Sequence, residues 1–180
     1  MTDYQLWSKL KEGSKQALQE IYEREADYMY SYGRRFSNDE HTVLDAIQEL
    51  FIEIWEKRET IGMTDKIRPY LLTSLRRKII KSAKSSMRMI SDGEDHDIKF
   101  RSEEGVESDI IQDETQKENK KRLQLGLQKL SDRQREAIHL KYLQERSYEE
   151  IGEIMDINYQ SVRNLISQGI KKMREYVNTS

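Results

Sequence analysis

The chain has 180 residues, a formal net charge of −2, 36% charged residues, one Pro, eight Gly and no Cys. Without cysteine there is neither a disulfide nor a thiolate metal site to hold the fold, and abundant charge with so little Pro and Gly suits charged helices, not a turn-rich β protein. No apolar run approaches the roughly 20 residues that span a bilayer, and Met1 to Leu10 lack the basic start and apolar stretch of a signal peptide, so a cytoplasmic protein without membrane insertion is expected.

The charge is unevenly spread. Residues 1–91 carry 16 Lys/Arg against 14 Asp/Glu, a net of +2. Residues 92–118 carry 3 against 11, a net of −8, and residues 119–180 carry 12 against 8, a net of +4. The acidic stretch Asp92 to Glu118 also lacks regular apolar spacing. It reads as a mobile linker, with a surface loop inside one domain as the competing reading. The expected class is therefore all-α: two small helical domains, 1–91 and 119–180, joined by a flexible acidic linker, 92–118.

In the first domain, Leu18, Ile21, Tyr22, Met29 and Tyr32 recur at helical spacing between Ser14 and Phe36. Val43, Leu44, Ile47, Leu50, Phe51, Ile54 and Trp55 then mark one wide apolar helix face, read as core. The same helix bears a second stripe of Asp45, Gln48, Glu49, Ile52 and Glu56. Such a stripe is either a solvated surface or a docking face, where Ile52 gives contact area and the carboxylates give register.

From Lys66 to Ser91 there is no acid, yet there are eight bases: Lys66, Arg68, Arg76, Arg77, Lys78, Lys81, Lys84 and Arg88. Pro69 fits a first helical turn, and Leu71, Leu72, Leu75 and Ile79 supply a buried side. Thr73, Arg77, Lys81, Lys84 and Arg88 share another side. Like charges on one helix repel unless an anion neutralises them. Phosphate is the favoured candidate. An acidic protein is the alternative, and a membrane surface fits poorly because the apolar side has no Trp or Phe.

The C-terminal domain carries two successive capping boxes, Ser131-Asp132-Arg133-Gln134 and Ser147-Tyr148-Glu149-Glu150, and Asn158 begins a third helix. A short helix from Tyr148 to Met155, a turn at Asp156-Ile157-Asn158 and a longer helix make the helix-turn-helix plan. Ile151, Met155, Ile157, Val162 and Leu165 fall where its two helices need apolar contact, and Gly152 where they cross closely. Asp156 stands where many such motifs have Gly. In the last helix Val162, Leu165, Ile166, Gly169, Ile170 and Met173 face inward. Gln160, Ser161, Arg163, Asn164, Ser167, Lys171, Lys172 and Arg174 are the candidate DNA contacts. Arg suits guanine and Asn or Gln suits adenine, while Lys171, Lys172 and Arg174 are better placed for phosphates. An ordinary helical hairpin with a polar outer face is the competing reading.

These segments resemble the sigma-70 family of RNA polymerase sigma factors, in the plan of its extracytoplasmic-function (ECF) group. Asp45-Ala46-Ile47-Gln48-Glu49-Leu50-Phe51 with Trp55, and Tyr70-Leu71-Leu72-Thr73-Ser74-Leu75-Arg76, resemble region 2. Leu130-Ser131 through Tyr142, Ser147 to Gly152 and Asn158 to Leu165 resemble region 4. The resemblance implies that Asp45, Gln48, Glu49 and Ile52 dock on a coiled coil of the polymerase's largest subunit. It implies that the basic helix, through Arg68, Thr73, Arg76, Arg77, Lys81, Lys84 and Arg88, meets the −10 promoter element. A loop at about Thr60 to Lys66 then holds an extruded base, and the helix-turn-helix reads the −35 element. Arg77 sits where many members carry Asn. The implied partners are core RNA polymerase, promoter DNA and an anti-sigma protein. A DNA-binding regulator that is not a sigma subunit would use the C-terminal domain alone and leave the N-terminal stripe and basic helix unexplained. An enzyme is disfavoured: there is no Gly-rich phosphate loop, and His41, His96 and His139 have no metal-ligand spacing. No cofactor is expected.

Overall fold

The computed structural model describes residues 1–88, 99–102 and 114–178; the remainder of the expected linker, with His96, lies outside the described residues. The chain divides into two compact units, Met1–His96 and Asp97–Ser180. Every regular element described is an α-helix.

The first unit holds α1 (Asp3–Lys11), α2 (Lys15–Gly33), α3 (Glu40–Glu56) and α4 (Ile67–Arg88). Helix α1 begins at a capping box in which Thr2 and Gln5 satisfy each other's backbone N–H groups, and it buries Leu6, Trp7 and Leu10 completely. Ser14 and Asp39 cap α2 and α3 through hydrogen bonds to Ala17 N–H and His41 N–H. The core unites Ile21, Met29 and Tyr32 of α2, Val43, Ile47, Leu50 and Ile54 of α3, and Leu71, Leu72, Leu75 and Ile79 of α4. Two residues of the expected apolar faces sit at the rim: Tyr22 is exposed but meets Phe51 edge-on at 5.0 Å, and Leu44 is exposed on α3. Each faces out because the core arc is narrower than the apolar arc. Gly33 of α2 lies so close to α3 that a Cβ would come within 2.6 Å of Val43 Cγ1.

The second unit holds α5 (Glu114–Gln128), α6 (Asp132–Tyr142), α7 (Tyr148–Met155) and α8 (Tyr159–Asn178). Both expected capping boxes form, Ser131 with Gln134 and Ser147 with Glu150. Helix α8 packs on α5, α6 and α7, around a core of Ala137, Leu140, Ile151, Ile154, Met155, Val162 and Ile166. Two parts of the segment expected as linker belong to this unit: α5 starts at Glu114, and Phe100 is buried to 2% exposure. The Phe100 N–H donates to Asp132 Oδ1 at 2.9 Å, its carbonyl accepts from Arg135 Nε at 2.8 Å, and its ring meets His139 edge-on at 5.5 Å. His139 itself is a buried helix residue.

Candidate nucleic-acid interface

In the second unit, the turn between α7 and α8 decides where α8 points. Asp156 closes α7 in the left-handed conformation, at φ 56° and ψ 51°. Asp tolerates that region better than most residues, so it fills the position where Gly is common. Its neighbour Ile157 sends its N–H back to the Gly152 carbonyl at 3.0 Å. A Cβ on Gly152 would stand 2.8 Å from the Ile157 carbonyl oxygen. Gly152 is therefore required by the closeness of the turn to α7, and Val162 packs just beyond it.

Asn158 Oδ1 accepts from Ser161 N–H at 2.8 Å and starts α8. Along α8, Val162, Ile166 and Gly169 face inward and Leu165, Ile170 and Met173 are half-buried. Gln160, Arg163, Asn164, Ser167, Lys171, Lys172 and Arg174 are exposed and Ser161 is half-buried. Gln160 Nε2 donates to Asn164 Oδ1 at 3.0 Å, so the two amides on the first turns are aligned with each other. Lys172 reaches back to Gln134 Oε1 at 3.3 Å, which turns it toward α6. A helix of this length with amide and guanidinium groups at its exposed N-terminal end has the chemistry that major-groove edges demand.

In the first unit, α3 exposes Asp45, Gln48, Glu49 and Glu56, and Ile52 among them at 57%. That is the mixed acidic and apolar stripe read in the sequence. Glu49 also accepts from Lys78 of α4 at 3.0 Å, and Glu53 from the same ammonium at 2.6 Å. The Lys78 hydrogen bond holds the Glu53 carboxyl below its ordinary range. Desolvation opposes the charge on Lys78, but the two glutamates outweigh it and leave its pKa raised.

The basic residues of α4 divide into two groups. Arg77 and Lys81 are exposed, as is Lys66 just ahead of the helix. Arg68 and Arg76 are turned inward. Arg68 donates Nε to Glu25 Oε2 at 2.6 Å and stacks 3.4 Å over the Tyr28 ring, and Arg76 is 9% exposed. Thr73 is half-buried and donates to the Pro69 carbonyl at 2.7 Å. The Lys84 and Arg88 side chains lie outside the described ones. Glu25 is a buried carboxylate that sequence periodicity does not flag. It is sandwiched between Arg24 Nε at 2.8 Å and Arg68, and paired burial is how a charge is tolerated there.

A groove of about 340 Å³ runs between the end of α3, the loop after it and α4. Ile61, Tyr70, Ser74, Arg77 and Lys81 are among its lining residues. It sits beside the 60–66 loop singled out in the sequence. Burial raises the Tyr70 phenol's pKa, although a hydrogen bond with Ser74 works the other way. Among the described residues, no His, Asp and Glu cluster is arranged to hold a metal, and no helix is long and apolar enough to cross a membrane.

A capped helix, a three-residue turn with a left-handed residue and a longer helix with an exposed polar row define a helix-turn-helix unit. Two family models match this chain: the Sigma-70 region 2 model over residues 21–89 and the Sigma-70, region 4 model over residues 120–173. Together they take in more than half of the sequence, and the chain belongs to the sigma-70 family of sigma factors, with its regions in the ECF order. A search of curated proteins finds no match. Among solved structures, the chain is similar to CnrH in a complex with the cytosolic domain of CnrY, at 17% identity and a TM-score of 0.66, covering 99% of this chain and 98% of that one. It is also similar to the sigma factor RpoE of Bartonella quintana, solved with the anti-sigma factor NepR, at 19% identity and a TM-score of 0.62, covering 91% and 96%. These likenesses are of fold.

Proposed function

We propose that the chain binds core RNA polymerase and directs it to promoters. In this reading Asp45, Gln48, Glu49 and Ile52 of α3 form the docking stripe for the polymerase. Arg77, Lys81 and Thr73 face the −10 element, with Lys84 and Arg88 further along, while Arg68 and Arg76 shape the helix from within. The 60–66 loop and the groove beside it receive an unstacked base; extrusion costs a few kcal/mol, which a snug site offsets. Gln160, Arg163, Asn164 and Ser167 read the −35 element, and Ser161, Lys171, Lys172 and Arg174 meet its backbone.

The observation that carries the reading is the exposed row of α8 in a chain whose matched regions 2 and 4 stand in family order. Each unit alone would hold DNA weakly at cellular salt. Bound to one polymerase, the two units make their second contact intramolecularly and gain by effective concentration. An anti-sigma protein is a further partner in this reading. Two similar structures are sigma-fold chains bound to partners of which one is named an anti-sigma factor.

Run-off transcription with purified core polymerase on a library of genomic fragments tests the proposal. Discrete transcripts that depend on the added chain are expected, and they also report the promoter. Failure of the chain to associate with core polymerase refutes it.

A further inference from the structure

Three side chains of α1, at i, i+4 and i+8, grip one stretch of backbone. Asp3 Oδ2 accepts from Ile67 N–H at 2.9 Å, at the first residue of α4. Trp7 Nε1 donates to the Gly62 carbonyl at 2.9 Å. Lys11 Nζ donates to the Ile61 carbonyl and reaches the Glu59 carbonyl at 3.5 Å. That spacing puts the three on one stripe of the helix. The same face is secured from behind: Arg24 bridges Asp3 at 2.9 Å and Glu25 at 2.8 Å, Glu25 holds Arg68, and Trp7 meets the Tyr70 ring edge-on at 5.0 Å.

The segment so gripped, 59–66 up to the start of α4, has no regular structure to fix its own carbonyls. Its backbone groups need outside partners, and α1 supplies them from 48 to 64 residues away in sequence. Ile61 and Tyr70, both touched by this contact set, line the groove beside α4. Helix α1 itself precedes the residues that the region 2 model matches.

We propose that Asp3, Trp7 and Lys11 are positioning residues of the 59–66 loop and its junction with α4: α1 is a clasp that holds the groove's wall in the shape needed to retain an extruded promoter base. The proposal rests on the functional reading above. It separates α1 from the docking stripe on α3 and from the reading row on α8. Loss of the clasp therefore impairs strand opening and spares both binding to polymerase and recognition of the −35 element.

The test uses the full chain, core polymerase and a promoter recovered by run-off, as ordinary duplex and as a template mismatched across the −10 element. Lys11→Met keeps the aliphatic stem and removes the donor; Trp7→Phe keeps one aromatic ring in the core and removes Nε1–H together with part of the indole's packing, so Lys11→Met is the deciding variant. Lys11→Met is expected to lower duplex run-off about tenfold, the effect of one lost hydrogen bond from a charged group, and Trp7→Phe, which loses a neutral donor, roughly threefold to tenfold. Most of that loss is recovered on the mismatched template, where extrusion is already accomplished, while affinity for core polymerase is unchanged. Wild-type levels from Lys11→Met on duplex overturn the proposal. So does an equal loss on both templates, or a parallel loss of polymerase affinity, since either marks general destabilisation. If the wild-type chain itself forms no complex with core polymerase, the functional reading falls and the clasp with it.

Discussion

Replacing Phe100 with Ala removes an aromatic side chain that is 2% exposed and packed against α6. Core Phe→Ala changes cost about 3–5 kcal/mol where the surroundings cannot collapse. Here the residue sits on a short strap held by two hydrogen bonds, from its N–H to Asp132 and from Arg135 to its carbonyl, so partial detachment relaxes the cavity and a cost near the lower end, about 3 kcal/mol, is expected. For a unit of this size each kcal/mol moves the melting temperature about 4–8 °C, giving a fall of roughly 12–24 °C. The assay has an internal control: the chain's two tryptophans, Trp7 and Trp55, both lie in the first unit. Tryptophan fluorescence then follows the first unit, while far-UV circular dichroism follows both. The expected result is a fluorescence transition that stays in place and a dichroism transition that moves down. A dichroism profile identical to wild type would show that Phe100 contributes nothing to the second unit. A joint shift of both signals would show that the units do not melt separately.

Gly152→Ala forces a Cβ to within 2.8 Å of the Ile157 carbonyl oxygen; a loss of about 1–3 kcal/mol from overpacking is expected in the second unit's melt, with weakened binding to −35 DNA by gel shift. Asp156→Gly relieves the left-handed backbone at φ 56° and should raise the second unit's stability by roughly 0.5–1 kcal/mol; a fall would place a hidden role on the Asp side chain. Ile52→Asp on the exposed α3 stripe should reduce affinity for core polymerase at least tenfold, measured by pull-down or fluorescence anisotropy, without altering the melt of the isolated chain. The Glu53 carboxylate is held low chiefly by its hydrogen bond from Lys78. Its contribution to stability is fully present above the ordinary glutamate pKa and fades as pH falls through the lowered value, so Lys78→Met should flatten the first unit's acid dependence in that window.

Local signals carried most of the C-terminal unit. Ser131 with Gln134 and Ser147 with Glu150 are three residues apart, and α7 runs from Tyr148 to Met155 as periodicity expects. Gly152 and Asp156 each announce a backbone requirement within their own few residues. The α3 stripe was equally readable, because core and outward faces of one helix differ in composition. What escaped is non-local. Phe100 is one of a few irregularly spaced apolar residues in an acidic stretch, and its partners Asp132, Arg135 and His139 are more than 30 residues on. The inward turn of Arg68 depends on Glu25, 43 residues earlier, and no helical spacing reports such a pair. Helix α1 did leave a trace in the Thr2–Gln5 box and the Leu6, Trp7 and Leu10 positions, but one so short is easily passed over, and its hold on the 59–67 backbone has no sequence signature.

The pairing or burial of half the described cations on α4 and its approach changes how steeply this unit should respond to ionic strength. Of Lys66, Arg68, Arg76, Arg77, Lys78 and Lys81, Arg68 and Lys78 are neutralised by glutamates and Arg76 is buried. Among the six whose side chains are described, the exposed three stand ready to displace condensed counterions from a DNA strand. These six should then contribute about −2 to the slope of log affinity for single-stranded −10 DNA against log salt, not the −4 that six free cations would give at about 0.7 per phosphate, with Lys84 and Arg88 adding their own share. A shallow dependence of this kind lets the unit release one promoter and engage another with little penalty from the ion atmosphere, leaving discrimination to the shape of the groove.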